Sequence, residues 1–270
     1  MPRLAAILVC TLLAGSLLPL AAASAGKLDA IKARGTLLVG VTESSPPFSY
    51  RDGGNGIVGY DVDLAEAVAK RLGVVMANVP LLPDDRIIAL QSDRVDLVAV
   101  GMTRSKKRAN DVDFSYAYLN SPHMILVRKP NGKASGIEHI TELAGKKLAL
   151  VRSASVDGKL KAAVPTMQIV FFDTYDAAFA ALAGGRVDAF LADKMLVLWF
   201  AQKSGHAADF ALIEDYQLPR TSGFALKKDE PQFRDFVDRT LLDLEASGEA
   251  KKIFDAWFAP LPRDFHIQPD

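Results

Sequence analysis

Short apolar runs alternate with amphipathic segments along most of the chain. Apolar runs bounded by turn residues predict strands at 35–41, 95–100, 148–151, 168–172 and 187–191. Apolar residues three and four positions apart predict helices at 59–73, 84–91 and 175–183. Strands that alternate with helices in this way imply parallel sheets covered by helices, so we expect an α/β fold.

The predicted helix at 59–73 carries start and stop signals of its own. Asp61 or Asp63 is placed to cap its first turn, and Gly73 is placed to end it. The glycine-rich stretch at 51–56, just before this helix, lacks the spacing of a phosphate-binding loop. It therefore predicts the tip of a hairpin.

The C-terminal part of the chain is predicted to be helical. Asp229-Glu230-Pro231 is a strong helix start, and Gly248 breaks the helix that follows. The next helix carries Phe254, Trp257 and Phe258 on one stripe. We expect this aromatic stripe to pack in a core.

The N-terminal segment has the pattern of a secretory signal peptide. Arg3 precedes an apolar run at 4–18, and the segment ends in Ala23-Ser24-Ala25, a small-residue cleavage pattern. Cys10 lies inside the apolar run without the small residue that precedes a lipid-modified cysteine, which argues against a lipoprotein. We expect cleavage of residues 1–25 and export of a soluble product, since no later segment approaches membrane-spanning length.

The composition is that of an ordinary globular protein, with 50% hydrophobic and 24% charged residues. This excludes disordered, collagen-like and coiled-coil chains. The 32 basic residues balance the 32 acidic ones, which argues against nucleic-acid binding. The single Cys would leave with the signal peptide, and the four His are widely spaced, so the sequence predicts no metal, cofactor or catalytic triad.

One internal similarity bears on function. Ala89-Leu90-x3-Arg94-Val95-Asp96 recurs as Ala181-Leu182-x3-Arg186-Val187-Asp188. Either two α/β segments use the same turn chemistry by chance, or two lobes share one βαβ plan. Under the second interpretation Gly101 corresponds to Asp193, each at the carboxyl end of its strand, where ligands of open α/β sheets bind.

The sequence resembles the periplasmic polar amino-acid-binding proteins of bacterial ABC importers, which are solute-binding proteins of family 3. The resemblance covers 35–258 and is carried by these stretches: Arg86-Ile87-Ile88-Ala89-Leu90, Val95-Asp96-Leu97, Gly101-Met102-Thr103, Lys107-Arg108 and Asp113-Phe114-Ser115. Four others are most similar to the glutamate/aspartate-binding branch: Glu43-Ser44-Ser45, Pro47-Phe48-Ser49-Tyr50, Asp229-Glu230-Pro231-Gln232-Phe233 and Ser247-Gly248-Glu249-Ala250.

The resemblance implies a two-lobed α/β fold that bends at a hinge, with a ligand cleft between the lobes. Lobe 1 would comprise 26–120 and 223–270, and lobe 2 would comprise 121–222. It also implies a monomer in the periplasm that delivers a free L-amino acid to an ABC-transporter permease in the inner membrane.

The resemblance also assigns roles to site residues. Arg108 would hold the α-carboxylate, Gly101 and Thr103 would contact carboxylate and amine, and Asp193 would bind the amine. From the residues alone, Arg108 could instead belong to a solvated basic run, and Asp193 could cap the next helix. The predicted ligand-binding set is Ser45, Phe48, Arg86, Gly101, Met102, Thr103, Arg108, Ser153, Ser155, Tyr175 and Asp193.

The resemblance leaves the exact ligand open. Arg86 matches a position that reaches the ligand side chain, which favours a side-chain carboxylate or amide. The acidic branch, however, has an Arg in place of Thr42, a His in place of Tyr175 and a hydroxyl in place of Pro83. An enzyme alternative is cyclohexadienyl dehydratase, which shares the fold but carries a catalytic Glu where this chain has Leu196.

Overall fold

The computed structural model describes residues 26–54, 56–129, 136–152, 156–261 and 263–269. The predicted signal peptide and the predicted ligand-binding residues Ser153 and Ser155 lie outside these ranges. Among the described residues, none of the helices combines the length and the apolar character needed to cross a lipid bilayer.

The elements alternate along the chain as the hydrophobic pattern predicts. The helices are α1 (Lys27–Arg34), α2 (Tyr60–Leu72), α3 (Asp85–Gln91), α4 (Asp157–Ala163), α5 (Tyr175–Ala183), α6 (Lys194–Lys203), α7 (Pro231–Ala246) and α8 (Glu249–Phe258). The strands are β1 (Thr36–Val41), β2 (Ser44–Ser45), β3 (Ser49–Arg51), β4 (Ile57–Val58), β5 (Val75–Pro80), β6 (Leu97–Val98), β7 (Asp113–Phe114), β8 (Leu119–Asn120), β9 (His123–Arg128), β10 (Lys147–Val151), β11 (Gln168–Phe172), β12 (Ala189–Asp193), β13 (Phe210–Leu218), β14 (Thr221–Ser222) and β15 (Ala225–Leu226). Short 3₁₀ turns lie at Arg108–Asn110, Ile140–Leu143 and Ala207–Asp209.

Two five-stranded sheets organise the molecule. The first has the order β5-β1-β6-β15-β7 and the second the order β11-β10-β12-β9-β13. In each sheet the first three strands are parallel, as predicted, but β15 in the first sheet and β9 in the second run antiparallel to their neighbours. Both sheets are therefore mixed. The chain returns to each sheet through connections that are not part of the predicted helix–strand alternation.

The chain crosses between the two sheets twice, through two neighbouring segments. Strands β8 and β14 pair antiparallel, with Thr221 opposite Asn120 and Ser222 opposite Leu119. All strands of the second sheet fall between these two segments in sequence, and all strands of the first sheet fall outside them. The lobe boundaries themselves stay a proposal, which this division of the strands supports.

The internal similarity corresponds to the same local structure in both sheets. The Asp96 carboxylate accepts the Leu38 N–H at 2.8 Å, and the Asp188 carboxylate accepts the Lys147 N–H at 2.8 Å. In both copies the aspartate follows a helix end and ties the turn to the neighbouring central strand. The two segments thus place Gly101 and Asp193 at equivalent strand ends.

The predicted aromatic stripe of the last helix packs in the core, as expected. Phe254 and Phe258 are buried, and their rings lie 6.1 Å and 5.0 Å from that of Tyr60 on α2. The predicted cap of α2 is wrong, because Gly59 begins this helix without a side-chain cap. Asp63 instead accepts the Trp257 indole N–H at 2.6 Å, so a contact between distant elements replaces the local one.

Candidate functional site

A cavity of about 930 Å³ opens where the parallel strands of both sheets end. It meets β1, β5 and β6 at their carboxyl ends in the first sheet and β10, β11 and β12 in the second. The predicted binding residues within the described ranges all line it: Ser45, Phe48, Arg86, Gly101, Met102, Thr103, Arg108, Tyr175 and Asp193. Ligands of open α/β sheets bind at such an edge, and the binding role of each residue stays a prediction.

Gly101 forms a tight corner on the first sheet's side of the cavity. Its φ of +59° lies in the left-handed region, where a side chain is strained, and a Cβ atom would lie 3.2 Å from Phe48 Cγ. The Gly101 N–H donates to the buried Asp61 carboxylate, which also accepts the Tyr118 hydroxyl at 2.9 Å. The Gly101 carbonyl is therefore turned toward the cavity with a defined orientation.

Asp193 ends β12 on the opposite side and begins α6. One carboxylate oxygen accepts the N–H groups of Met195 at 2.9 Å and Leu196 at 3.3 Å, so Asp193 is a helix cap, as one of the two interpretations predicted. The same oxygen accepts the Ser121 hydroxyl, and the residue is 5% exposed. Burial raises the pKa of Asp193, although the neighbouring Arg220 guanidinium and these hydrogen bonds act against the rise.

Arg220 is a site residue that the sequence did not predict. Its guanidinium donates to the Gly101 carbonyl and to the second oxygen of Asp193, and its Nε donates to Thr103 Oγ1 at 2.7 Å. The residue is 9% exposed, and the guanidinium lies 6.0 Å from the centre of the Phe48 ring. Arg220 thus ties the ends of the two sheets together across the cavity.

Arg86 and Arg108 place two further guanidiniums in the cavity. Among the described residues, neither has a carboxylate within ion-pair distance; Arg108 donates to the Thr103 carbonyl at 3.1 Å, and Arg86 Nε is buried without a hydrogen-bond partner. Burial lowers the pKa of Arg86 to about 10, and burial together with Arg220 lowers the pKa of Arg108. Both remain cationic at neutral pH and leave donors for an anionic group.

Two polar groups beside the cavity are already used within the chain. The Arg104 N–H donates to the Thr221 carbonyl at 3.0 Å. The Thr42 hydroxyl donates to the Ser49 carbonyl at 3.0 Å. His123, which is not in the predicted ligand-binding set, lies on the cavity wall, where burial lowers its pKa to about 3 and keeps it neutral.

The charges of the cavity are arranged unevenly. The acidic residues Glu43, Asp84, Asp111 and Asp173 line it but are exposed to solvent. The wall between them holds four arginines, Arg86, Arg104, Arg108 and Arg220, against the single buried carboxylate of Asp193, which is paired with Arg220. Guanidiniums bind carboxylates in a planar, two-bond geometry, so the wall is suited to a small carboxylate. Among the described residues, no group of His, Cys, Asp and Glu side chains could hold a metal ion.

Comparisons with known proteins identify the family and the fold. Residues 37–260 match the profile of the bacterial extracellular solute-binding proteins, family 3. The L-cystine-binding protein TcyJ of Escherichia coli is 29% identical over 87% of each chain, and the glutamate/aspartate import solute-binding protein of the same organism is 31% identical over 90% of this chain and 83% of its own. The crystal structure of the ancestral amino acid-binding protein AncCDT-1, a precursor of cyclohexadienyl dehydratase, has a TM-score of 0.77 at 32% identity and covers 86% of this chain and 99% of its own. The resemblance stated from the sequence, and the two-lobed fold that it implied, are confirmed.

Proposed function

Because the chain belongs to the bacterial extracellular solute-binding proteins of family 3, we propose that it captures a free L-amino acid for an ABC importer. The cavity between the carboxyl ends of the two sheets carries the proposal. Its wall holds the guanidiniums of Arg86 and Arg108 at one place. At another it holds three acceptors, the Gly101 carbonyl, the Thr103 hydroxyl and the Asp193 carboxylate, which Arg220 contacts. An α-amino acid has the matching pair of groups, a carboxylate and an ammonium.

Arg108 is the proposed partner of the α-carboxylate. It is half-buried, lines the cavity and has one guanidinium nitrogen bonded to a backbone carbonyl, which fixes the orientation of its plane. Two parallel N–H bonds to a carboxylate would use the remaining donors.

Arg86 is the proposed partner of a polar or acidic ligand side chain. Its Nε is buried without a partner among the described residues, and burying a charged donor without an acceptor is costly. A side-chain carboxylate or amide would remove this cost, whereas leucine or valine would not. With neutral Tyr175 nearby and the Thr42 hydroxyl bonded to Ser49, we expect modest discrimination between glutamate and glutamine.

The cellular setting follows from the same proposal. The product would be exported to the periplasm after signal-peptide cleavage and would act as a monomer. The two lobes would close on the ligand and present it to the permease in the inner membrane. A binding role is also favoured over the dehydratase alternative, because the buried, apolar Leu196 lines the cavity where that enzyme places its Glu.

A ligand screen tests the proposal. Thermal shift and calorimetry against the common L-amino acids should find at least one 1:1 ligand with micromolar or tighter affinity, which is about 8 kcal/mol. Glutamate, aspartate, glutamine, asparagine and leucine are then compared in the wild type, in Arg86→Ala and in Arg71→Ala. The last variant is a control, since Arg71 pairs with Asp243 on an exposed surface.

The proposal predicts that polar ligands bind better than leucine in the wild type and in the Arg71→Ala control, and that Arg86→Ala narrows the difference. A screen without any amino-acid ligand would refute amino-acid capture. Leucine as the best wild-type ligand, or an unchanged ranking in Arg86→Ala, would refute the polar specificity alone.

A further inference from the structure

Three acceptors around Arg220 form one compact subsite. They are the Gly101 carbonyl, Thr103 Oγ1 and the second carboxylate oxygen of Asp193, and we call them the ammonium subsite. The sequence resemblance places Gly101 and Thr103 at the ligand's carboxylate and amine, and Asp193 at its amine. In the structure all three acceptors are bonded to Arg220 of the chain itself.

The donors of Arg220 match those of an ammonium group. An α-ammonium has three N–H donors, one positive charge and no acceptor, and Arg220 meets the three acceptors through Nε, Nη1 and Nη2 with the same charge. A ligand ammonium cannot take the position of the guanidinium while these contacts persist. Two cations beside one buried carboxylate would also repel each other.

We propose that the Arg220 side chain occupies the ammonium subsite in the free protein and that an amino-acid ligand has to displace this side chain. The proposal rests on amino-acid capture as the function of the cavity. It makes Arg220 a specificity-determining residue, because the ligand's ammonium binds only at the expense of the three Arg220 contacts.

The burial of Asp193 explains why an occupant is present. The carboxylate is 5% exposed, and an unpaired charge at such a position is strongly unfavourable. Arg220 supplies a cation in the free protein, and the ligand's ammonium supplies one in the complex. A carboxylic acid without an ammonium brings no cation and leaves Arg220 in place.

The position of Arg220 in the chain is suited to such an exchange. It lies between the end of β13 at Leu218 and the start of β14 at Thr221, in the segment that passes from the second sheet to the first. Its own carbonyl accepts the Ser121 N–H at 3.0 Å, so the backbone is held while the side chain reaches across the cavity. Rotation of the side chain alone would therefore free the subsite.

Matched ligand pairs that differ only in the ammonium group test the proposal. Glutamate with glutarate, aspartate with succinate, and leucine with 4-methylpentanoate are titrated into the wild type, Arg220→Ala and Arg220→Gln. Arg71→Ala is the control for loss of an arginine ion pair. Arg220→Gln keeps hydrogen-bond donors beside Asp193 and serves if Arg220→Ala does not fold.

The measured quantity is the ratio of the affinity for the amino acid to the affinity for its ammonium-free partner. We expect this ratio to rise at least tenfold in either Arg220 variant. It should not change in Arg71→Ala. Amino-acid binding that appears only in the Arg220 variants would support the proposal equally. A ratio within threefold of the wild type, or amino-acid binding lost in both variants, would overturn it and leave amino-acid capture intact. If neither the wild type nor any variant binds an amino acid, both proposals fail.

Discussion

The buried Asp61 should make the stability of this protein depend on pH in an unusual direction. The carboxyl is fully buried behind the cavity wall, and burial is the main reason that its pKa rises from 3.8 to about 7. Hydrogen bonds from Gly101 and Tyr118 act against this rise. Arg220 also lowers the pKa, and Asp193 raises it, so the value reflects the whole group of buried charges.

The sign and size follow from proton linkage. Below pH 3.8 Asp61 is protonated in both the folded and the unfolded chain, so it costs nothing there. As the pH rises to about 7, the unfolded chain releases the proton while the folded chain retains it, and the free energy of unfolding falls. The shift corresponds to about 4 kcal/mol of stability lost by pH 8.

Asp61→Asn removes this dependence while keeping the shape of the side chain. An Asn oxygen can accept the Gly101 N–H and the Tyr118 hydroxyl, as Asp61 Oδ2 does. The Asn amide then takes the place of Oδ1, which has no hydrogen-bond partner among the described residues. The protonated wild-type acid also has a polar group at the Oδ1 position, so the stability of the variant should resemble that of the wild type at low pH.

Urea unfolding of both proteins at several pH values between 4 and 8 measures the effect. The free energy of unfolding of Asp61→Asn, relative to the wild type, should rise by up to about 4 kcal/mol across this range. The control Asp243→Asn, on the exposed surface, should stay within about 0.5 kcal/mol of the wild type throughout. A relative change below about 1 kcal/mol for Asp61→Asn would refute the argument, because burial would then not govern this carboxyl.

Two further predictions concern the ligand carboxylate and the C-terminal segment. Arg108→Ala should weaken binding of every amino acid at least about a hundredfold by calorimetry, since two charge-assisted hydrogen bonds contribute about 1.5–3 kcal/mol each; affinity within threefold of the wild type would contradict its role. Burial alone would raise the pKa of Glu245, but bonds from Arg263, His266 and the Ile267 N–H lower it to about 2. Glu245→Gln should therefore cost about 2 kcal/mol of unfolding free energy at pH 7, measured by urea unfolding. The cost should shrink as the pH falls from 4.5 toward 2, where the wild type loses its own carboxylate; a cost that does not change with pH would point to packing instead.

The sequence predicted the part of the site that follows a locally repeated pattern. The similarity between the segments ending in Asp96 and Asp188 made Gly101 and Asp193 equivalent, and the structure places both on one cavity. Each aspartate bonds a neighbouring strand, so the repeated letters reflect a repeated hydrogen bond. Local chemistry of this kind can be recognised without knowing the rest of the fold.

The sequence failed where distant contacts outweigh local rules. Asp61 has the position and chemistry of a helix cap, yet it bonds Gly101, 40 residues away, and Tyr118, 57 residues away. Arg220 contacts Asp193 and Gly101 across 27 and 119 residues. No spacing rule connects such positions, and an arginine outside the predicted helices and strands is ordinarily solvent-exposed.

The cavity separates its acceptors from its free donors, and this separation fixes how a zwitterion would lie in it. Gly101 and Asp193 end equivalent strands, one with a carbonyl and the other with a carboxylate, so both present acceptors to the same cation. The donors left over belong to Arg86 and Arg108, which have no carboxylate partner among the described residues. A ligand with its carboxylate toward Arg108 and its ammonium in place of the Arg220 guanidinium meets opposite charges at both ends, whereas the reverse orientation places like charges together at both ends. The same reasoning explains why a cation from the chain occupies the ammonium subsite. The groups that the two sheets present there are acceptors, so a donor is needed to connect them.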